Sequence, residues 1–204
     1  MITIVDYGLG NVRAFLNVYK RLNVPARTAR SAADLEGAER LILPGVGAFD
    51  HAMERLDASG MRSVLDVMVL EGKVPVLGIC VGMQILASTS EEGQLAGLSW
   101  IPGGVRRFRP EPQHEALPLP HMGWNDVSPV RSSPLFRELE SDARFYFLHS
   151  YFFECAQAEH IVAESAYGSP FSCAVSSGNI HGVQFHPEKS HHWGTQLLQN
   201  FAEL

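Results

Sequence analysis

A Gly-x-Cys-x-Gly segment at residues 78–82 constrains the fold of this chain more than any other stretch. The apolar residues 74–79 suit a buried strand, and residues 83–87 suit a helix. The sharp turn between them needs flanking glycines, because a Cβ there would clash with the neighbouring strand or helix. It would hold Cys80 in a strained conformation at a helix N-terminus, where partial positive charge favours a thiolate. The pattern predicts a nucleophile elbow, with a buried structural cysteine as the alternative.

Strand-like and helix-like patterns alternate through roughly the first 90 residues. Residues 2–6 and 40–43 are typical of buried strands, and Asn11 can cap the helix that follows the first of them. Ser31 with Asp34 forms a capping pair for a short helix. The alternation predicts an α/β fold with a mostly parallel central sheet flanked by helices. In such sheets, sites form at the carboxyl ends of the strands.

Shorter and more closely spaced strand patterns follow from Trp100 onward and predict additional antiparallel strands. Residues 109–120 are rich in proline and are expected to form an exposed loop, to which the sequence assigns no function. The remaining patterns are paired or consecutive strands at 144–149 and 151–154, a hairpin at 161–166 and 171–175 with Gly168 near its turn, a last strand at 180–185 and a closing helix at 193–204. No repeat or linker divides the chain, so residues 1–204 are predicted to form a single domain.

Composition excludes several classes of protein. The chain has 204 residues, 46% of them hydrophobic, and a net charge of −6, which suits one globular domain without disulfide or metal support. The acidity and the lack of a basic stripe argue against nucleic-acid binding. Three irregularly spaced cysteines argue for a reducing compartment. No apolar run approaches the roughly 18 residues of a membrane span, and strand-like sequence directly follows Met1, so a cytoplasmic protein is expected.

Two glycine-rich turns have different predicted roles. Gly45, Val46 and Gly47 follow the strand at 40–43 and could turn their backbone N–H groups toward an oxyanion, although an ordinary strand-to-helix turn fits equally well. The turn at residues 8–10 suggests a dinucleotide-binding loop, but Arg13 replaces the third glycine of that fingerprint. A dinucleotide cofactor is therefore not expected.

His186-Pro187-Glu188 at the exit of the last strand is the second informative motif. In an extended chain, residues two apart project to the same side, so the imidazole and the carboxylate can meet. A carboxylate on one ring nitrogen leaves the other nitrogen free to serve a thiol. A strand-end histidine beside a solvated glutamate is the alternative. Together with Cys80 and the Gly45–Gly47 loop, however, the motif predicts a thiol acyl-transfer site. His191 and His192 lack the further ligands of a metal site, so no metal is expected.

Residues 78–84 and 182–188 resemble the two signature motifs of triad-type (class I) glutamine amidotransferases. Further segments resemble the glutaminase subunits of imidazole glycerol phosphate synthases, a narrower group within that family. These segments are residues 6–11, 44–47, 120–125, 146–151 and 189–190. The resemblance covers almost the whole chain and implies a flavodoxin-like sheet.

The resemblance implies a role for each matching residue. Cys80 would attack the side-chain amide of glutamine, His186 would move the proton, and Glu188 would orient His186. The backbone N–H of Val81, which stands where the family usually has leucine, would hold the oxyanion with help from Gly45, Val46 and Gly47. The other matching positions are the substrate contacts Gln84, Ser150 and Tyr151 and the partner-facing residues Asn11, Trp124, Tyr146 and Lys189.

The implied function is release of ammonia from glutamine through a γ-glutamyl thioester. No domain remains to use the ammonia, so a heterodimer with a (β/α)₈-barrel cyclase is expected. That complex would make imidazole glycerol phosphate and an aminoimidazole carboxamide ribotide in histidine biosynthesis, without a cofactor. Three alternatives stay open at this point: the glutaminase subunit of a pyridoxal phosphate synthase, a cysteine hydrolase on the same fold, and a catalytically silent interaction subunit.

Overall fold

The computed structural model describes residues 1–109 and 118–204. Most of the predicted proline-rich loop at 109–120 therefore lies outside the described residues. The helices are α1 (Val12–Arg21), α2 (Phe49–Ala58), α3 (Arg62–Asp66), α4 (Val81–Gln84) and α5 (His191–Ala202). The strands are β1 (Ile2–Val5), β2 (Ala26–Ala29), β3 (Arg40–Gly45), β4 (Val76–Cys80), β5 (Thr89–Ser90), β6 (Gly103–Arg107), β7 (His121–Asp126), β8 (Ser128–Pro129), β9 (Arg144–His149), β10 (Tyr151–Cys155), β11 (Ile161–Tyr167), β12 (Ser169–Ser177) and β13 (Ile180–Val183).

The main sheet has the order β2-β1-β3-β4-β13-β12-β11-β8. The first five of these strands are parallel, and the last three join antiparallel. Strands β1 and β4 are buried along their whole length, as expected for central strands covered on both faces. The predicted α/β class, with a mostly parallel sheet and antiparallel additions, is confirmed. The carboxyl ends of β3, β4 and β13 lie side by side at one edge.

Two smaller sheets extend the second half of the chain. Strand β7 pairs antiparallel with β9, and β10 pairs with β6. The strands predicted at 144–149 and 151–154 are thus consecutive but belong to different sheets. Ser150, which separates them, is the point at which the chain passes from one sheet to the other.

Several local predictions hold. The Asn11 side chain caps α1 by accepting from the Ala14 backbone N–H at 3.2 Å. The Asp34 carboxylate accepts from the backbone N–H of Ser31 at 3.0 Å, although the segment forms one 3₁₀ turn rather than a helix. The hairpin of β11 and β12 turns at Gly168, whose φ of 75° suits glycine.

Helix α4 is shorter than the sequence pattern predicts. It ends at Gln84, whereas the apolar residues up to 87 predict further helical turns. The reason is tertiary: the carbonyl of Leu86 accepts from the backbone N–H groups of Trp100 and Ile101, and the carbonyl of Ile85 accepts from Leu98. A returning segment thus supplies the hydrogen bonds that a longer helix would make, so the chain leaves the helix without orphaned backbone groups.

The contact between α4 and β3 gives a prediction. A Cβ on Gly82 would lie 1.9 Å from the carbonyl oxygen of Leu43, which is backbone and cannot rotate away. We expect Gly82→Ala to lower the free energy of unfolding by at least about 2 kcal/mol, measured by urea denaturation, because the strand or the helix must shift. Gly104→Ala is the matched control, since its Cβ would approach the Thr89 hydroxyl at 3.2 Å and no other atom closer than 3.8 Å. Equal stability of the two variants would contradict this account.

Candidate active site

Cys80 ends β4 and begins the turn into α4 in a strained backbone conformation. Its φ is 56° and its ψ is −113°, a region that non-glycine residues adopt only when the surroundings enforce it. A Cβ on Gly78 would lie 2.5 Å from the Gly82 carbonyl oxygen. Both flanking glycines are therefore required by the close approach of strand and helix. Cys80 is 4% exposed and lies at the start of α4.

His186 is brought beside Cys80 by the pairing of β13 with β4. Val183 pairs with Ile79 in parallel register, so the chain leaving β13 emerges next to the elbow. The backbone N–H of His186 donates to the Tyr146 carbonyl at 2.9 Å. Its Nδ1 lies 2.9 Å from Oε1 of Glu188, and both side chains are buried.

The His186–Glu188 contact forms as predicted, but the backbone reason given for it is wrong. Residues Pro187–Lys189 form a 3₁₀ turn and not an extended segment. This turn brings the Glu188 carboxylate back to the imidazole of His186, the residue just before the turn. Because the carboxylate can only accept when ionised, Nδ1 carries the proton and Nε2 is left for the thiol.

The environment of His186 favours its protonated form. Burial lowers the pKa of His186, but the side-chain interactions with Cys80 and Glu188 and their negative charges outweigh burial and raise this pKa to about 10. Opposite charges at close range favour the ionised forms of both partners. The geometry can therefore support a thiolate and an imidazolium, the arrangement required for nucleophilic attack by sulfur.

The Gly45–Gly47 loop lies directly beside Cys80. Gly45 pairs with Cys80 in the β3–β4 register, and a Cβ on Gly45 would lie 2.4 Å from the Gly82 nitrogen. Gly47 has a φ of 93°, and Val46 and Gly47 are exposed. Val81 is the first residue of α4, so its N–H has no partner within the helix. Val46, Gly47 and Val81 line the same cavity as Cys80, where backbone N–H groups could serve an oxyanion.

A cavity of about 270 Å³ opens over Cys80 and His186. The predicted substrate contacts Gln84, Ser150 and Tyr151 all line it, the last two at the junction of β9 and β10. Gln84 Nε2 donates both to the Tyr151 carbonyl at 3.0 Å and to Gln184 Oε1 at 3.1 Å. Because these two bonds use both of its protons, only Oε1 of Gln84 remains to bind a ligand.

Comparisons with known proteins agree with this geometry. Residues 3–204 match the family described as "Glutamine amidotransferase class-I". The chain belongs to the class I glutamine amidotransferase family. Among relatives, it is 62% identical to the imidazole glycerol phosphate synthase subunit HisH of Bdellovibrio bacteriovorus and 50% identical to that of Leptospira interrogans, with both chains covered completely in each case.

Solved structures support the same fold. A crystal structure of a glutamine amidotransferase has a TM-score of 0.76 at 20% identity and covers 99% of this chain and 97% of its own. Another glutamine amidotransferase, from Thermotoga maritima, has a TM-score of 0.64 at 19% identity, covering 92% of this chain and 75% of its own. At these identities the likeness concerns the fold alone.

This class I glutamine amidotransferase has pocket residues that sequence reasoning missed. Glu92 lines the cavity, and its Oε2 accepts from the Phe49 backbone N–H at the start of α2 at 2.9 Å. Burial raises the pKa of Glu92, while the Phe49 hydrogen bond opposes that effect. Glu92 lies in an irregular loop with no pattern of its own, so only the tertiary contact with α2 identifies it.

Two buried histidines were also missed. His121 Nδ1 and His149 Nε2 are 2.9 Å apart, and His149 lines the cavity. Burial lowers the pKa of His149 to about 3, with additional repulsion from His121 and His186, and burial lowers the pKa of His121 to about 4. Both rings are therefore neutral at physiological pH, in contrast to His186.

Three of the four predicted partner-facing residues lie together. Trp124 and Tyr146 are opposite each other on β7 and β9, with ring centroids 6.4 Å apart, and Lys189 Nζ lies 5.7 Å from the Tyr146 ring. Asn11 lies at the start of α1. Trp124 is 38% exposed, and the neighbouring pair on β7 and β9, Met122 and Leu148, is also exposed, at 65% and 36%.

Other candidate chemistry has little support. Within residues 1–109 and 118–204, no group of three or more His, Cys, Asp or Glu residues could hold a metal ion. His191 packs instead against Trp124, with ring centroids 5.2 Å apart.

Burial raises the pKa of Cys155 to about 12 and that of Cys173 well above its ordinary value. None of the described helices is long and apolar enough to cross a membrane.

The neutral state of His149 gives a prediction about stability. Its folded pKa of about 3 lies below the ordinary value near 6.5, so only the unfolded chain takes up this proton as the pH falls. The stabilising contribution is complete above pH 6.5 and is lost progressively toward pH 3. We expect His149→Gln to reduce the slope of unfolding free energy against pH by about 1.4 kcal/mol per pH unit between pH 4 and 6.

The slope is measured by denaturation over that pH range. His51→Gln is the matched control, since it replaces an exposed histidine on α2 by the same residue. A parent-like slope in His149→Gln would show that His149 titrates normally in the folded protein.

Proposed function

We propose that this chain is the glutaminase subunit of an imidazole glycerol phosphate synthase and hydrolyses glutamine to glutamate and ammonia. The observation that carries the proposal is the meeting of Cys80 and His186 in one cavity, with the buried Glu188 hydrogen-bonded to His186. The relatives that are 62% and 50% identical over the full chain, both named as that subunit, support the same reaction.

The proposed mechanism follows the triad. The thiolate of Cys80 attacks the carboxamide carbon of glutamine, and the backbone N–H of Val81 with the Gly45–Gly47 loop stabilises the oxyanion. The His186 imidazolium then donates its proton to the departing nitrogen, which leaves as ammonia and creates a γ-glutamyl thioester. Neutral His186 next takes a proton from water, whose oxygen attacks the thioester. Collapse releases glutamate and restores the thiolate–imidazolium pair.

The charges around the cavity suit a free amino acid. Glu92 can bind an ammonium group, and Lys189 can bind a carboxylate. Gln84 can offer only its carbonyl oxygen, which accepts from a donor such as the substrate's side-chain amide. A cavity of about 270 Å³ that is lined by a charge of each sign favours one amino acid over an extended peptide.

We propose that a (β/α)₈-barrel cyclase covers the exposed apolar side chains around Trp124 and receives the ammonia. Free ammonia is mostly protonated at neutral pH and would be lost to solvent, so an enclosed transfer within a heterodimer is needed. The name of the relatives, a synthase subunit, supports such a partner. The cyclase would convert a phosphorylated ribulosyl-formimino nucleotide into imidazole glycerol phosphate and an aminoimidazole carboxamide ribotide.

We also propose that residues 1–204 act as one domain in the cytoplasm. The continuous main sheet, which joins strands from both halves of the chain, supports the single domain. Three free cysteines, one of them at the elbow, suit a reducing compartment. Limited proteolysis that released a stable, folded half of the chain would contradict the single domain.

Cys80→Ala tests the proposed function in the complex. We expect the variant to co-purify with the cyclase, to lose at least about 10³-fold of glutamine-dependent synthesis because no nucleophile remains, and to keep synthesis from added ammonium salts. The two syntheses are followed by product absorbance or chromatography.

Cys155→Ala is the matched control and is expected to keep both activities, since Cys155 lies on β10 outside the cavity lining. Loss of both activities in Cys80→Ala would make Cys80 structural. Full glutamine-dependent synthesis in that variant would contradict thiol catalysis, and failure of the parent chain to bind the cyclase would contradict the proposed partner.

A further inference from the structure

A buried hydrogen-bond network begins at the carbonyl of Tyr151. This oxygen can only accept, and it lies 2.8 Å from His149 Nδ1 and 3.0 Å from Gln84 Nε2. Both neighbours must therefore be donors. The tautomer of His149 and the orientation of the Gln84 amide follow from this one fixed acceptor.

The orientation of the Gln84 amide in turn determines that of Gln184, two residues before His186. The second proton of Gln84 Nε2 is directed at Gln184 at 3.1 Å, so the Gln184 atom facing it must be the acceptor Oε1. The other end of the Gln184 amide is then the donor Nε2, which lies 3.8 Å from Sγ of Cys80. Gln184 is completely buried, so its amide cannot turn over without leaving polar atoms unpaired.

The network continues from Tyr151 to strand β7 with every direction determined. His149 Nε2 accepts from His121 Nδ1 at 2.9 Å, and His121 Nε2 accepts from Asn125 Nδ2 at 3.2 Å. The second proton of Asn125 Nδ2 goes to the Ala166 carbonyl at 2.8 Å. Each imidazole thus donates from one nitrogen and accepts at the other, which requires both rings to be neutral. The donor and acceptor assignments then agree along the whole network.

We propose that Gln184 is a further catalytic residue, which donates a hydrogen bond to the Cys80 thiolate and is held in that orientation by Gln84 and the Tyr151 carbonyl. The sulfur needs such a donor because the Leu148 carbonyl lies 3.9 Å from it and can only accept. That carbonyl stabilises the thiol form and opposes the thiolate. The Gln184 amide offsets this effect, because a hydrogen bond to a charged group is stronger than one to a neutral group.

The nearby titratable groups have other partners or roles, so the amide of Gln184 is the group that can donate to the Cys80 sulfur. His186 serves the sulfur as an acid and base, and His149 is neutral and already donates to Tyr151. The hydroxyl of Tyr7, whose pKa is raised by burial and by the charge on Cys80, donates to the Pro44 carbonyl at 2.7 Å. Gln184 thus supplies a fixed donor that does not titrate. This inference rests on the proposed function only in assuming that the thiolate is the reactive form.

The test is the pH dependence of Cys80 alkylation by iodoacetamide in the full chain, followed by peptide mass spectrometry. Gln184→Glu keeps an acceptor for Gln84 but removes the amide donor, and Gln184→Met removes both. We expect the midpoint of the alkylation profile to move up by about one pH unit in each variant, and the alkylation rate at pH 6 to fall by about tenfold. Gln157→Met, an exposed substitution, is expected to keep the parent profile.

A folded Gln184→Met variant with the parent alkylation profile would overturn the proposal. If neither variant folds, NMR of the parent chain tests the proposal instead. The side-chain N–H resonances of Gln184 are then expected to titrate with the same midpoint as the alkylation of Cys80. Resonances that stay constant through that midpoint overturn the proposal equally. Alkylation does not require glutamine, so a complex that fails to use glutamine would contradict the proposed function and leave the role of Gln184 intact.

Discussion

The close approach of α4 to β3 is the constraint on which the site depends. With glycine at position 82, the helix backbone can lie against the Leu43 carbonyl, and no other residue fits there without a shift. This contact sets the turn at Cys80 and leaves the Val81 N–H at the helix start. It also places Gly45 level with Cys80 in the sheet. The strain at Cys80 is maintained because the surrounding sheet over-determines the turn.

The pKa values of three buried histidines are shifted in opposite directions, and their partners explain the difference. His186 faces a carboxylate and a thiol, which together raise its pKa to about 10 despite burial. His149 and His121 have no carboxylate or thiol partner, so burial dominates and lowers their pKa values, and the charge of His186 lowers that of His149 further. The charged His186 therefore has neutral, oriented imidazoles on one side, and fixed dipoles of this kind stabilise charge without needing to reorganise.

The sequence predicted those features that depend on neighbours in the chain. The elbow at Cys80 and the cap at Asn11 arise from local sterics and short-range hydrogen bonds, and alternating patterns predicted the parallel sheet. The length of α4 could not be predicted, because its end depends on hydrogen bonds from residues 98–101. The contact between Glu188 and His186 was predicted correctly, but it was attributed to an extended segment, whereas a 3₁₀ turn forms it.

The pocket residues that were missed share one physical reason. Glu92 owes its position to the start of α2, and His149 owes its protonation state to His121 on a different strand. Neither contact leaves a periodic or motif-like trace, because each joins segments far apart in the chain. Gln184 was visible within a family motif, but its orientation follows only from the acceptor at Tyr151.

The central claim is that glutamine is cleaved through a covalent bond to Cys80. Acid quenching of the cyclase complex within a single turnover, followed by peptide mass spectrometry, tests it most directly. The account predicts a glutamyl group on the peptide that contains Cys80, appearing before glutamate and disappearing as glutamate forms. A glutamyl group on Cys155, Cys173 or any other residue, or glutamate formed with no adduct at any time, would contradict it.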